Sequence, residues 1–161
     1  LLIKYKNIKY FMKKIIITGS SGYIGSCLFF YLKSKFKIIG IDKKKSNLNH
    51  LFISDLLNFD KINKILKKEK PDLIVHLAAQ SLVDEKINKK KYYLNNIIAT
   101  KNLLKSMKLN NLNNLIFSST AAVYKKKNNL ITEKDILKPI STYAKTNHPP
   151  DQPNLQHYLF R

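Results

Sequence analysis

The chain is 161 residues long and 44% hydrophobic, with 30 lysines and arginines against 10 acidic residues and a formal charge of +20. That length builds one domain with a real core and leaves no room for a second full one. Arg161 is the only arginine. Specific base or phosphate recognition leans on bidentate guanidinium contacts, so the charge reads as a solvated basic surface on an Asn- and Ile-rich chain, with no specific nucleic-acid partner expected.

Residues 1–11, LLIKYKNIKYF, precede Met12, and MKKIIITG reads like a natural start; the leading segment is expected to be an upstream extension without structure. KKIIITG is a buried strand, followed by a helix from about Tyr23 to Lys35. Glycines 19, 22 and 25 and the polar Thr18, Ser20 and Ser21 interrupt this apolar stretch, so it is neither a signal core nor a membrane span. Cys27 is the single cysteine, which excludes an internal disulfide and fits a reducing cytoplasm, its thiol expected in helix packing. FKIIGID is a second strand ending at Asp42, and HLFISDL a third. NFDKINKILKKEK is a helix with Asn58 as N-cap. DLIVHLAA is a fourth strand, residues 89–108 a long helix, and NLIFSST a fifth strand. Such alternation predicts an α/β fold, a Rossmann-type doubly wound parallel sheet with helices on both faces.

The stretch TGSSGYIG sets Gly19, Gly22 and Gly25 between a strand and a helix, with Tyr23 and Ile24 completing the turn. Glycine allows the tight bend and lets backbone amides approach a pyrophosphate, whose charge the helix N-terminus favours. Asp42 stands 17 residues after Gly25, at the strand tip where a carboxylate accepts hydrogen bonds from the adenosine ribose. It would repel a 2′-phosphate, so NAD is favoured over NADP.

Together with the ordered motifs after them, these residues resemble the extended short-chain dehydrogenase/reductases, the NAD-dependent epimerase/dehydratase family typified by UDP-glucose 4-epimerase. The resemblance covers residues 12–146 and makes them a cofactor domain incomplete at its C-terminus, without the substrate lobe. It implies that Asp55 and Leu56 in ISDLLN meet the adenine, that Leu77, Ala78 and Ala79 in HLAAQS pass beside the pyrophosphate and nicotinamide ribose, and that Asn96 in YLNNIIATKNLL braces the site. In FSSTAAVY it places Ser118 near the nicotinamide and gives Thr120 the hydroxyl that holds the reacting sugar oxygen. Ala121 and Ala122 stand where 4,6-dehydratases carry Asp-Glu, which disfavours elimination of water. Tyr143 falls at the family's catalytic tyrosine. The implied partner is a nucleotide-sugar, and a homodimer is common among such enzymes.

Free tyrosine titrates near pH 10 and is a poor base at neutral pH. The family supplies a lysine one helical turn on, whose ammonium favours phenolate and holds the nicotinamide ribose. Here that position is Asn147, and Lys145 lies about 200° round the helix from the tyrosine. From the same point NHPPDQPNLQHYLFR has no lysine and three of the chain's five prolines. Residues 147–161 are therefore expected to be an irregular tail produced by a frameshift or truncated gene, and the chain an inactive fragment of an NAD-dependent epimerase. A non-catalytic NAD-binding module, or another nucleotide-sugar epimerase or reductase of the same family, is the alternative.

Overall fold

The computed structural model describes residues 14–82, 88–132 and 134–148; the expectations for residues 1–11 and for 149–161 of the tail fall outside them. Five parallel strands, β1 (Lys14–Thr18), β2 (Lys37–Asp42), β3 (Leu51–Ile53), β4 (Leu73–His76) and β5 (Leu115–Phe117), form one sheet in the order β3-β2-β1-β4-β5. The chain winds outward from β1 in one direction to β3, then returns to β4 on the other side. The order reverses between β1 and β4, and a crevice opens there beyond the carboxyl ends of the strands.

Strand alternation divides the core into two layers. Ile16, Ile39, Ile41, Ile74 and Leu115 face α2 (Phe59–Glu69) and α4 (Ala99–Leu109), which contribute Ile62, Leu66, Leu103 and Met107. Ile15, Ile17, Ile38 and Val75 face the other way, onto Phe29 of α1 (Tyr23–Leu32). Each fully buried isoleucine is worth roughly 1.5–3 kcal/mol relative to exposure, so the pleat register is strongly fixed. Among the described residues no helix is long and apolar enough to cross a membrane.

Three expectations need correction. Cys27 is exposed on α1 and does not pack into the core, because the helix buries Gly25 and Phe29 instead. β4 stops at His76, short of the alanines. Leu77 N still reaches Thr18 O at 3.2 Å, but the next amide, of Ala78, turns to the Thr18 hydroxyl at 3.3 Å, and the chain leaves the sheet. The helix expected over 89–108 is interrupted: α3 (Lys89–Tyr92) passes into a π turn (Tyr93–Ile98) before α4. Ala99 N bonds Leu94 O, five residues back, while Asn95 Nδ2 takes Lys91 O at 2.8 Å. A side chain competing for carbonyls of the preceding turn is a local cause of such widening.

Candidate functional site

A cleft of about 570 Å³ opens at the carboxyl end of the sheet. The turn after β1 forms its floor. Gly19 has φ +71°, a left-handed conformation open to glycine, and a Cβ there would lie 2.7 Å from Ala78 N. At Gly25 a Cβ would run into the carbonyl oxygen of Gly19 and come within 2.8 Å of Ser20 Cα. The helix starts at Gly22, which offers no side-chain cap, and the first turn of α1 has no acidic residue. The opening residues of this helix line the cleft without a side-chain cap, and a helix N-terminus carries partial positive charge.

Gly19, Gly22, Tyr23, Ile24 and Gly25 line the cleft, as do Asp42, Asp55 and Leu56. Leu77, Ala78, Ala79, Ser118 and Tyr143 line it as well. Asp42 accepts Ser21 N at Oδ2 and Lys44 N at Oδ1, both at 2.9 Å. Asp55 Oδ1 accepts Leu57 N at 2.9 Å, a local turn that holds the Asp-Leu pair against the wall. Two of the sequence-predicted residues lie off the lining. Asn96, expected to brace the site and grouped with the cofactor-binding residues, is buried behind the wall: its Oδ1 accepts Gln80 N at 2.7 Å and its Nδ2 donates to Thr146 Oγ1 at 3.1 Å. Thr120 Oγ1 accepts Ala122 N at 3.2 Å and caps a short 3-10 turn, Ala121–Val123.

Behind the cleft a chain of buried hydrogen bonds joins the glycine turn to the tyrosine helix. Thr100 gives its one hydroxyl proton to Asn96 O at 2.6 Å, so at 2.9 Å its oxygen accepts from His76 Nε2. The other ring nitrogen, Nδ1, must then accept from Thr18 Oγ1, 2.6 Å away. This assigns the neutral Nε2–H tautomer from the pattern of donors. Burial pushes the imidazole down from 6.5 to about 4, consistent with a ring that is never charged at neutral pH.

The opposite end of the cleft is built by α5 (Thr142–Thr146), capped by Ser141 Oγ accepting Ala144 N at 3.0 Å. Tyr143 sits edge-on to Tyr92, ring centroids 6.4 Å apart. Asn147 is buried and lines the cleft with it. Its Nδ2 donates to Tyr143 O at 2.8 Å, and Ser119 Oγ donates to Asn147 O at 2.8 Å. Lys145, on the same helix, is exposed. Ser21, Lys43, Lys44, Asn95 and Ser119 also line the cleft and were not singled out from sequence. The lysines directly follow Asp42 and could have been found from the strand end; Asn95 faces the cleft from a π turn that no sequence period announced.

The sheet order and the crevice at its reversal point are those of a Rossmann-type doubly wound nucleotide-binding domain. The model of the NAD dependent epimerase/dehydratase family matches residues 15–148, and the chain belongs to that family. It is 36% identical over 163 residues to a dTDP-D-glucose 4,6-dehydratase of Dictyostelium discoideum, covering 83% of this chain and 38% of the relative. It is 35% identical over 143 residues to a UDP-glucose 4-epimerase of Lactobacillus helveticus, covering 83% and 43%. The crystal structure of UDP-glucose 4-epimerase from Brucella ovis in complex with NAD superposes with a TM-score of 0.82 at 27% identity, covering 89% of this chain and 47% of that one. The chain thus spans less than half the length of these relatives.

Proposed function

We propose that the cleft binds NAD and that its chemistry is removal and return of hydride at carbon 4 of a nucleotide-activated hexose, as in a UDP-glucose 4-epimerase. The observation that carries the reading is the glycine cradle. Backbone fills the space a Cβ would need at Gly19 and Gly25, and the uncapped first turn of α1 lines the cleft, a surface that suits a pyrophosphate. The similarity to a 4-epimerase and a 4,6-dehydratase supports carbon 4 as the reacting position.

In this reading Gly22, Tyr23 and Ile24 hold the pyrophosphate through their amides, Asp42 the adenosine ribose and Asp55 with Leu56 the adenine. Ala78, Ala79 and Ser118 flank the nicotinamide end. When bound, NAD supplies the hydride acceptor. Tyr143 is assigned the proton of the C4 hydroxyl and Thr120 the stabilisation of that oxygen once its turn moves toward the sugar. Asn96 acts behind the wall by fixing Gln80 and Thr146. Residues 12–146 form the cofactor domain, and the grip on the nucleotide-sugar is assigned to the half of the relatives that this chain does not span. A cytoplasmic homodimer completes the proposal.

Asn147 favours a second reading for this chain, an NAD-binding module with little or no turnover. Its amide is neutral and engaged with the Tyr143 carbonyl, so it brings no positive charge to a developing phenolate. Titration calorimetry with NAD separates binding from its absence; no heat with folded protein refutes both readings. Asn147→Lys should not restore conversion of UDP-galactose to UDP-glucose, because the charge alone does not orient the sugar. Measurable turnover by that single variant would reject the assignment of the sugar grip elsewhere, and turnover by the native sequence would reject the module reading.

A further inference from the structure

The adenosine end of the cleft carries more positive charge than a strand closed by a carboxylate requires. Asp42 is followed by Lys43, Lys44 and Lys45. Both carboxylate oxygens already accept a backbone amide, from Ser21 and from Lys44. Among the described residues none of the three ammonium groups forms an ion pair; the two pairs present are Lys14–Glu69 and Lys127–Asp135. Lys43 Nζ instead reaches across the cleft to the neutral Asn95 Oδ1 at 3.0 Å, and Lys44 lines the same wall. Beside them Ser21 Oγ and Ser46 Oγ stand 3.0 Å apart, with Ser21 Oγ donating to Lys44 O at 3.1 Å.

We propose that this shelf accepts a 2′-phosphate, so that the dinucleotide site takes NADP as well as NAD, with Lys43 and Lys44 as the specificity-determining residues. The inference rests on the dinucleotide reading above and goes beyond it. A lone strand-end carboxylate rejects the 2′-phosphate of NADP by like charge. Here that charge is damped by two N–H donors and outnumbered by its three lysine neighbours. Lys43 gives up only a neutral amide acceptor when it turns to a dianionic phosphate, and charge-assisted bonds of that kind are about twice as strong as neutral ones. Asp42 remains free to accept from the ribose 3′-hydroxyl.

Calorimetry with NAD and with NADP on the folded chain tests it at about 50 mM and about 500 mM salt, since screening separates the two extra charges from the shared contacts. The expected result is a Kd for NADP within about tenfold of that for NAD at low salt, with the NADP affinity falling more steeply as salt rises. The double variant Lys43→Glu/Lys44→Glu should shift the NADP-to-NAD ratio at least about tenfold against NADP. Asp42→Asn, the smaller perturbation should the double variant fail to fold, should shift that ratio toward NADP. NADP binding more than about tenfold weaker than NAD in the native sequence, or variants that leave the ratio unmoved, overturns the proposal. Absence of binding by either nucleotide overturns the dinucleotide reading itself, a result distinct from NAD binding alone.

Discussion

The two ends of the cleft are held in different ways. At the glycine end the constraint is backbone shape: Gly19 takes a left-handed φ of +71° against Ala78, and Gly25 meets the Gly19 carbonyl with no space between. At the tyrosine end the constraint is a set of side-chain hydrogen bonds, from Ala144 N to Ser141 Oγ, from Asn147 Nδ2 to Tyr143 O and from Ser119 Oγ to Asn147 O. A shape constraint tolerates almost no substitution. A hydrogen-bonded one can exchange one polar residue for another and stay closed, as the buried, doubly bonded Asn147 does at this end.

Gly25→Ala should break this comparison most severely. Alanine gains about 1 kcal/mol in helix propensity over glycine, but its Cβ meets two backbone groups, the Gly19 carbonyl and Ser20 Cα, that have no rotamer to change. Overpacking of that kind costs roughly 1–3 kcal/mol. Because the displaced atoms are the cradle itself, the expected outcome is a fall in NAD affinity of about 100-fold. Calorimetry beside thermal unfolding checks it. Unchanged affinity would show that the close approach does not shape the site.

His76 ties the two ends together and gives an effect of comparable size. Its pKa is lowered from 6.5 to about 4 by burial, so between these values the unfolded chain binds a proton that the folded one does not. Stability from this group is complete above pH 6.5 and is lost as pH falls toward about 4. The full span is worth about 3 kcal/mol. Urea denaturation from pH 7.5 to 4 should show this decline in the native sequence and a shallower one in His76→Phe, the difference isolating one group from the titrating carboxylates. Parallel profiles would mean that the imidazole is protonated inside the fold. The variant should also be less stable at pH 7, because Thr18 and Thr100 lose their partner.

The doubly wound order was legible because each strand here is a short apolar run and each helix an amphipathic one, a difference in period that survives without tertiary information. The glycine turn was legible for the same reason that it is intolerant: a backbone requirement leaves a residue-type signature. What could not be read depends on side-chain competition. Nothing in YLNNIIATKNLL says that Asn95 will take a carbonyl of the preceding turn and widen the helix. Nor does HLAAQS say that Ala78 and Gln80 will be captured by Thr18 and Asn96. The short turn at Thr120 has the same origin, a hydroxyl turned to its own backbone.

Ser141→Ala sharpens the comparison with the smallest effect. The serine caps a helix of only five residues, and removing such a cap costs typically about 1 kcal/mol. In α2 the corresponding cap, Asn58 Oδ1 accepting Lys61 N, serves an eleven-residue helix buried by Ile62, Ile65 and Leu66, and packing would mask its loss. In α5 the burial is confined to Ala144 and Thr146, so the first turn has little else to hold it. Global stability should change by about 1 kcal/mol or less, while amide exchange at Ala144 and Lys145 rises and exchange in α1 stays as it was. Equal acceleration in both helices would mean that the ends of the cleft are one cooperative unit and that the contrast between shape and hydrogen bonding does not govern their stability.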